Sequence, residues 1–200
     1  KPFREKRRGE FFLDALARTG QGEEVIRLQH LYKADENNAN DLHLYRANAA
    51  NPFKDNSVDV DEWLAEINDI YERAGLSRLS LAEGIAPAFL RLKAEVPEPV
   101  MDGPLVSIVM PVYKPDEYTD LAIQSALNQS YRNIEIIIVD DGSGAAAAER
   151  LNKWLAVDGR VQVVLNEPNA GAYTSRNIGY SMAQGEFITI FDGDDWQHPQ

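Results

Sequence analysis

Apolar positions along this chain recur with two different periods, one on either side of residue 100. On the N-terminal side the spacing is helical. Trp63, Leu64, Ile67, Ile70, Tyr71 and Ala74 follow the i, i+3, i+4, i+7 rule and predict a helix over Val60–Ala74. Asp59 or Asp61 offers it an N-terminal cap, and Gly75 stands at the position where a helix commonly ends in a left-handed residue. Val25, Leu28, Leu31 and Tyr32 suit a second helix face, and Leu42, Tyr45, Arg46 and Ala49 a third. Ile85, Phe89 and Leu92 suggest a last helix over Leu81–Ala94, and polar turns such as Asn51–Asn56 separate these segments. The expectation is a small all-α N-terminal domain over residues 1–95.

Glu95–Pro104 carries three prolines and a glycine, cannot continue a helix, and marks a linker over 96–104. Beyond it, buried-type strands alternate with helices. Val106–Val112, Ile134–Val139, Val161–Leu165 and Phe187–Phe191 are continuous apolar runs. Asp116–Gln129, Ala145–Ala156 and Gly171–Gln184 between them have helical spacing. Continuous apolar strands joined by helices predict a parallel sheet covered on both faces. The run Ala145–Ala148 forms helix well and brings no side-chain chemistry of its own.

Charge and composition narrow the function. The 200 residues carry 32 acidic against 20 basic side chains, a formal net charge of −12, which argues against a general nucleic-acid binder. There is no cysteine, hence no disulfide framework and no thiolate metal site. No apolar run is long enough to span a membrane. Lys1–Arg8 is basic and precedes Phe11, Phe12 and Leu13, so a peripheral membrane or protein contact through the N-terminal helices is one reading and a solvated helix start the other. His30 and His43 are lone histidines without partners at ligand spacing, which favours surface or packing roles.

The chemistry gathers where strands end. Phe187–Phe191 runs directly into Asp192, Asp194 and Asp195. Three carboxylates within four residues suit a hard divalent cation that shares its oxygen ligands with phosphates; an acidic solvated turn is the bland alternative. Ligands of open α/β sheets bind beyond the carboxyl ends of strands, where strand order reverses. If the fourth strand lies on the far side of the first from the second, three polar loops meet there: Pro111-Val112-Tyr113, Asp140-Asp141-Gly142-Ser143, and Asp192-Gly193-Asp194-Asp195. The loop after the third strand, Asn166–Gly171, feeds a helix whose free N–H groups and Arg176 could face an anion. The first strand is not followed by the glycine pattern of a dinucleotide fold or a phosphate-binding loop. Nor does it carry the acidic residues of a receiver domain or a haloacid-type phosphatase.

Four motifs stand in fixed order: Ser107–Tyr113, Val139–Ser143, Asn169-x-Gly171 with Arg176, Asn177 and Gly179, and Asp192–Asp195. Together they resemble family-two glycosyltransferases, inverting enzymes of the GT-A fold, over residues 104–200. The resemblance implies a Rossmann-like α/β nucleotide-binding domain over 105–200, incomplete at its C-terminus, and transfer of a sugar from a UDP-sugar donor to a saccharide or glycolipid acceptor. It further implies that Pro111, Val112 and Tyr113 line the nucleobase pocket, with Asp141 on the base or ribose edge. Asn169 and Arg176 would lie near the nucleotide and diphosphate, Asp192 and Gly193 near the ribose. Mn²⁺ or Mg²⁺ would sit on Asp194 and Asp192, with Asp195 a variable third. The general base of such enzymes lies downstream of the metal motif, so it is expected beyond Gln200. A cytoplasmic location, peripheral to the inner face of the membrane, goes with this reading. A scaffold that has lost catalysis and a nucleotidyltransferase are the rivals.

Overall fold

The computed structural model describes residues 11–19, 21–28, 39–52 and 59–200. Its contacts gather into two units, Lys1–Glu95 and Val96–Gln200. In the N-terminal unit, α1 spans residues 11–18, α2 Gly22–Leu28, α3 Ala39–Ala49 and α4 Val60–Arg73. Leu13, Leu16, Ala17 and Val25 form a small core with Leu28 and Tyr45 packed against it. The Asp59 side chain caps α4 by accepting from the Asp61 N–H, and Gly75 follows the helix end at φ 73°. Lys1–Arg8, His30, Leu31 and Tyr32 lie outside the described residues.

The helix expected over Leu81–Ala94 is not formed, so the N-terminal unit is predominantly but not wholly helical. Strand β1 (Leu79–Leu81) pairs antiparallel with β2 (Leu92–Ala94), and a 3₁₀ turn over Ala88–Arg91 lies between them. The spacing of Ile85, Phe89 and Leu92 imitates a helix. However, Gly84 sits at φ 136° and Pro87 precedes the 3₁₀ turn, two residues that break a helix interior. The buried Asn68 of α4 holds this ladder in place. Its Oδ1 accepts from the Leu79 N–H at 2.6 Å and its Nδ2 donates to the Leu79 carbonyl at 3.0 Å, as a neighbouring strand would.

The C-terminal unit is an α/β layer structure. Strands β3 (Val106–Val112), β4 (Ile134–Asp141), β5 (Val161–Asn166) and β6 (Phe187–Ile190) form one parallel sheet in the order β5-β4-β3-β6. Helices α5 (Glu117–Leu127), α6 (Ala145–Val157) and α7 (Ala172–Met182) connect them. Alternation along the strands supplies two apolar faces. Ile108, Met110, Val112, Ile134, Ile136 and Ile138 face Ala122, Ile123, Ala126 and Leu127 of α5 and Leu151 of α6. Val109, Ile137 and Val139 fall on the opposite face, fully buried, where α7 packs on β3 and β4. Each such side chain stabilises the fold by about 1.5–3 kcal/mol. This two-sided burial goes with the place of β4 and β3 as the two inner strands of the sheet.

A boxed cap fixes the start of α5: Asp116 accepts from the Tyr118 and Thr119 N–H groups, and Thr119 Oγ1 accepts from the Asp116 N–H. The proline-rich segment is tied to the sheet at its end. Val100 bridges Tyr131 in parallel, Asn133 donates to the Gly103 carbonyl, and the Tyr131 hydroxyl donates to that of Pro104.

Candidate active site at the carboxyl edge of the sheet

The strand order puts the ends of β4, β3 and β6 side by side, so the three polar loops share one edge of the sheet. Strand β4 runs two residues further than its apolar run, through Asp140 and Asp141. The pleat therefore sends these two carboxylates to opposite faces.

Asp141, 4% exposed, turns toward the β5–α7 loop. Its Oδ1 accepts from the Ala170 N–H at 2.9 Å and from Asn166 Nδ2 at 3.3 Å, and its Oδ2 accepts from the Gly171 N–H at 2.8 Å. These donors, that of Ala170 foremost, hold the Asp141 carboxyl below the usual carboxylate range against the opposing effect of burial. Asp141 is thus occupied in shaping the loop that carries Asn169 and opens α7. Gly142 makes the approach possible. It lies at φ 74°, and a Cβ there would stand 2.6 Å from the Asn169 backbone nitrogen. Asn169 itself is exposed.

Asp140, 2% exposed, lies on the other face. Its Oδ2 accepts from the Ser143 N–H at 2.9 Å, and its Oδ1 is buried with no hydrogen-bond partner. A buried oxygen left open is costly, and such an atom at a strand end marks a place where a ligand's donor would be welcome. Reading the sequence missed Asp140. The signal was available, because Asp140 continues the Ile136, Ile138 column and interrupts an apolar face with a carboxyl group.

Ser143 also locks two loops together: the Lys114 N–H donates to its Oγ at 2.7 Å, with Lys114 at φ 54° in the left-handed region. Pro111 and Val112 are buried. Tyr113 follows with its ring 55% exposed, and Lys114 Nζ stands 5.2 Å from the ring centroid. At the other side, Arg176 of α7 donates through Nη2 to Asp192 Oδ1 at 2.8 Å, while its Nε is buried without a partner. The guanidinium also lies over the Tyr173 ring, 5.6 Å from the centroid. Gly193 brings the acidic loop against β3, since a Cβ there would stand 2.7 Å from Val112 Cγ1. Hydrogen bonds therefore run along the edge from Lys114 through Ser143 to Asp140, from Asp141 to the start of α7, and from Arg176 to Asp192.

The acidic loop turns tightly, with the Asp195 N–H donating to the Asp192 carbonyl at 3.2 Å. Loss of hydration, then the Asp194 and Asp192 carboxylates, push the Asp195 carboxyl up. Among the described residues no group of three or more His, Asp or Glu side chains is placed to hold a metal ion. The donor set fits a different kind of cation site, in which one or two carboxylates bind a hard ion whose remaining positions go to phosphate and water. His43 does have partners: its Nδ1 lies 2.6 Å from Glu66 Oε2 and its Nε2 2.8 Å from Asp69 Oδ2, joining α3 to α4 in a packing role.

Residues 107–200 match the family model described as glycosyl transferase family 2. That segment is similar to family 2 glycosyltransferases, on the parallel α/β frame described above. Among the relatives, a Haemophilus influenzae protein named an uncharacterized glycosyltransferase is 46% identical over 96 residues, covering 48% of this chain and 38% of that protein. Glycosyltransferase GlyG of Streptococcus pneumoniae is 43% identical over 91 residues, covering 46% of this chain and 30% of that protein. Another relative, from Bacillus subtilis, 38% identical over 92 residues (46% of this chain, 36% of that protein), has a name that refers to teichuronic acid biosynthesis. A solved structure of S. aureus TarS 1-349 in complex with UDP superposes with a TM-score of 0.44 at 26% identity, covering 48% of this chain and 29% of that one. The chain spans about a third of the length of the curated relatives it matches. No helix of the described residues is long and apolar enough to cross a membrane.

Proposed function

We propose that the protein transfers a sugar from a UDP-sugar to a saccharide or glycolipid acceptor with inversion, assisted by Mn²⁺ or Mg²⁺, and that residues 105–200 hold the donor. The observation that carries this reading is that the open, buried Oδ1 of Asp140, the exposed Tyr113, the Arg176–Asp192 pair and the acidic loop all stand at the carboxyl ends of β4, β3 and β6. An aromatic face with an acceptor beside it suits a nucleobase that offers an N–H. A guanidinium and carboxylates a strand away suit a diphosphate and its counterion.

In this reading Tyr113 stacks on the base and Asp140 accepts from its edge. Asp141 acts one step back, holding the Ala170 and Gly171 amides so that Asn169 and the start of α7 face the nucleotide. Arg176 keeps Asp192 in place and offers charge to the diphosphate. A cation on Asp194, with Asp192, would neutralise the charge that collects on the leaving diphosphate. Asp195, the third carboxylate of the loop, is the variable member of the set. The saccharide acceptor finds support in relatives whose names refer to teichuronic and colanic acid biosynthesis. The cytoplasmic location belongs to the same proposal.

The test is calorimetric titration with UDP, with and without Mn²⁺, against GDP and NAD. Metal-dependent binding of UDP over both controls is the expected result, and Asp194→Ala should remove the metal dependence. Equal UDP affinity for Asp194→Ala and wild type in Mn²⁺ would refute the site.

A further inference from the structure

A third buried carboxylate lies at the opposite end of the strands, outside the donor site. Glu135 stands near the start of β4. Its Oε1 accepts from Ser107 Oγ at 2.5 Å and from the Gln184 N–H at 2.7 Å, and its Oε2 accepts from Gln162 Nε2 at 2.9 Å. Ser107 Oγ in turn accepts from the Gly185 N–H at 2.9 Å. Two adjacent N–H groups of the turn between α7 and β6, those of Gln184 and Gly185, therefore end on this pair. The turn sits directly on β3: a Cβ at Gly185 would lie 2.7 Å from the Leu105 carbonyl oxygen and from Ser107 N and Oγ.

The strand that follows adds little burial of its own to fix its register, and the chain is next tied beyond the acidic loop, where the Gln197 N–H donates to Ser125 Oγ and the Ser130 N–H to the Pro199 carbonyl. β6 pairs with β3 over four positions, and Phe187, Ile188 and Ile190 are 56%, 47% and 44% exposed. A strand that buries neither face is weakly specified in register, and a slip of one residue would turn every side chain over. Apolar burial enters at Phe191, immediately before the acidic loop.

We infer that Glu135 and Ser107 are positioning residues for the acidic loop: by clamping the α7–β6 turn they set the register of β6 on β3, and with it the place of Asp192 and Asp194. They act through about five residues of strand, roughly 16 Å at ~3.3 Å per residue. The inference rests on the donor reading above. The base-binding side, on β3 and β4, does not depend on β6.

The test compares Glu135→Ala with Glu135→Gln in the full chain. Glutamine keeps an oxygen for Ser107 and Gln184, and Gln162 can turn its amide to meet the new N–H₂, so the clamp survives. A displacement of about 1 Å at a reacting centre can cost up to ~10²-fold, so Glu135→Ala should weaken Mn²⁺-dependent UDP binding at least about tenfold, with metal-free UMP binding changed less than about twofold. Glu135→Gln should restore most of the loss. Amide exchange over Phe187–Phe191 should accelerate in Glu135→Ala while α5 stays protected. Ser107→Ala, which removes the acceptor for Gly185, carries the same test if Glu135→Ala does not fold. Equal losses for UDP and UMP, or unchanged UDP binding with unchanged β6 exchange, would overturn the inference. If wild type binds no UDP, the donor reading fails by itself, and the exchange measurement decides the clamp.

Discussion

Asp141→Asn isolates the role the structure gives this carboxylate. Asp141 accepts two backbone N–H groups, of Ala170 and Gly171, and one side-chain amide, of Asn166. Asparagine keeps one acceptor oxygen. Whichever way its amide turns, an N–H₂ faces a backbone N–H that cannot move without reshaping the loop. Hydrogen bonds to a charged acceptor contribute about 1.5–3 kcal/mol each, and one is lost and replaced by an opposed donor, so the cost is about 2–4 kcal/mol. At ~4–8 °C per kcal/mol for a domain of this size, the C-terminal unit should melt at least about 8 °C lower.

The same contacts give a pH signature. The folded-state carboxyl lies below its unfolded value, so its contribution is fully present above the ordinary carboxylate pKa. It is lost as pH falls below about 4 and through the folded value. Hydrogen exchange of the Ala170 and Gly171 amides is the direct assay. Protection of both should fall in wild type along that acid limb, and at least one of the two should be weak at every pH in Asp141→Asn. Equal protection of the two amides in variant and wild type at neutral pH would refute the reasoning.

Three further outcomes are expected. Tyr113→Ala should weaken UDP and UMP binding alike in titration, because it removes base contact and leaves the metal side intact; a loss confined to UDP would contradict its placement. Gly179→Ala should destabilise the C-terminal unit by about 1–3 kcal/mol in urea melts through overpacking, since its Cβ would stand 2.3 Å from Val109 Cγ1. Asn68→Ala should leave both polar groups of Leu79 without their partner, lower stability by about 1–3 kcal/mol, and accelerate exchange of the Leu79 amide without touching nucleotide binding.

Much of this protein is legible in order along the chain. Continuous apolar runs bounded by Asp, Gly and Pro locate β3 to β6, and the helices between them end within two residues of their periodic patterns. Those signals are local, and for β3 and β4 burial on both faces demands apolar residues at nearly every strand position. The motif order at Tyr113, Asp141, Arg176 and Asp192 likewise depends on no contact. The segment from Leu81 to Ala94 was misread for the same reason. Apolar spacing there satisfies a helix locally, whereas the ladder of β1 on β2 and the Asn68 bonds from α4 are contacts between distant residues.

Only the tertiary structure decided which strand lies beside which. Pairing of β6 with β3 joins residues some eighty positions apart, and that pairing, not any local preference, brings Asp192 to the edge that carries Tyr113. It also decided the division of labour between two adjacent aspartates. In the sequence Asp140 and Asp141 are interchangeable. In the fold the pleat sends Asp141 to the α7 loop, where three donors meet it, and Asp140 to the other face, where one of its oxygens is left open.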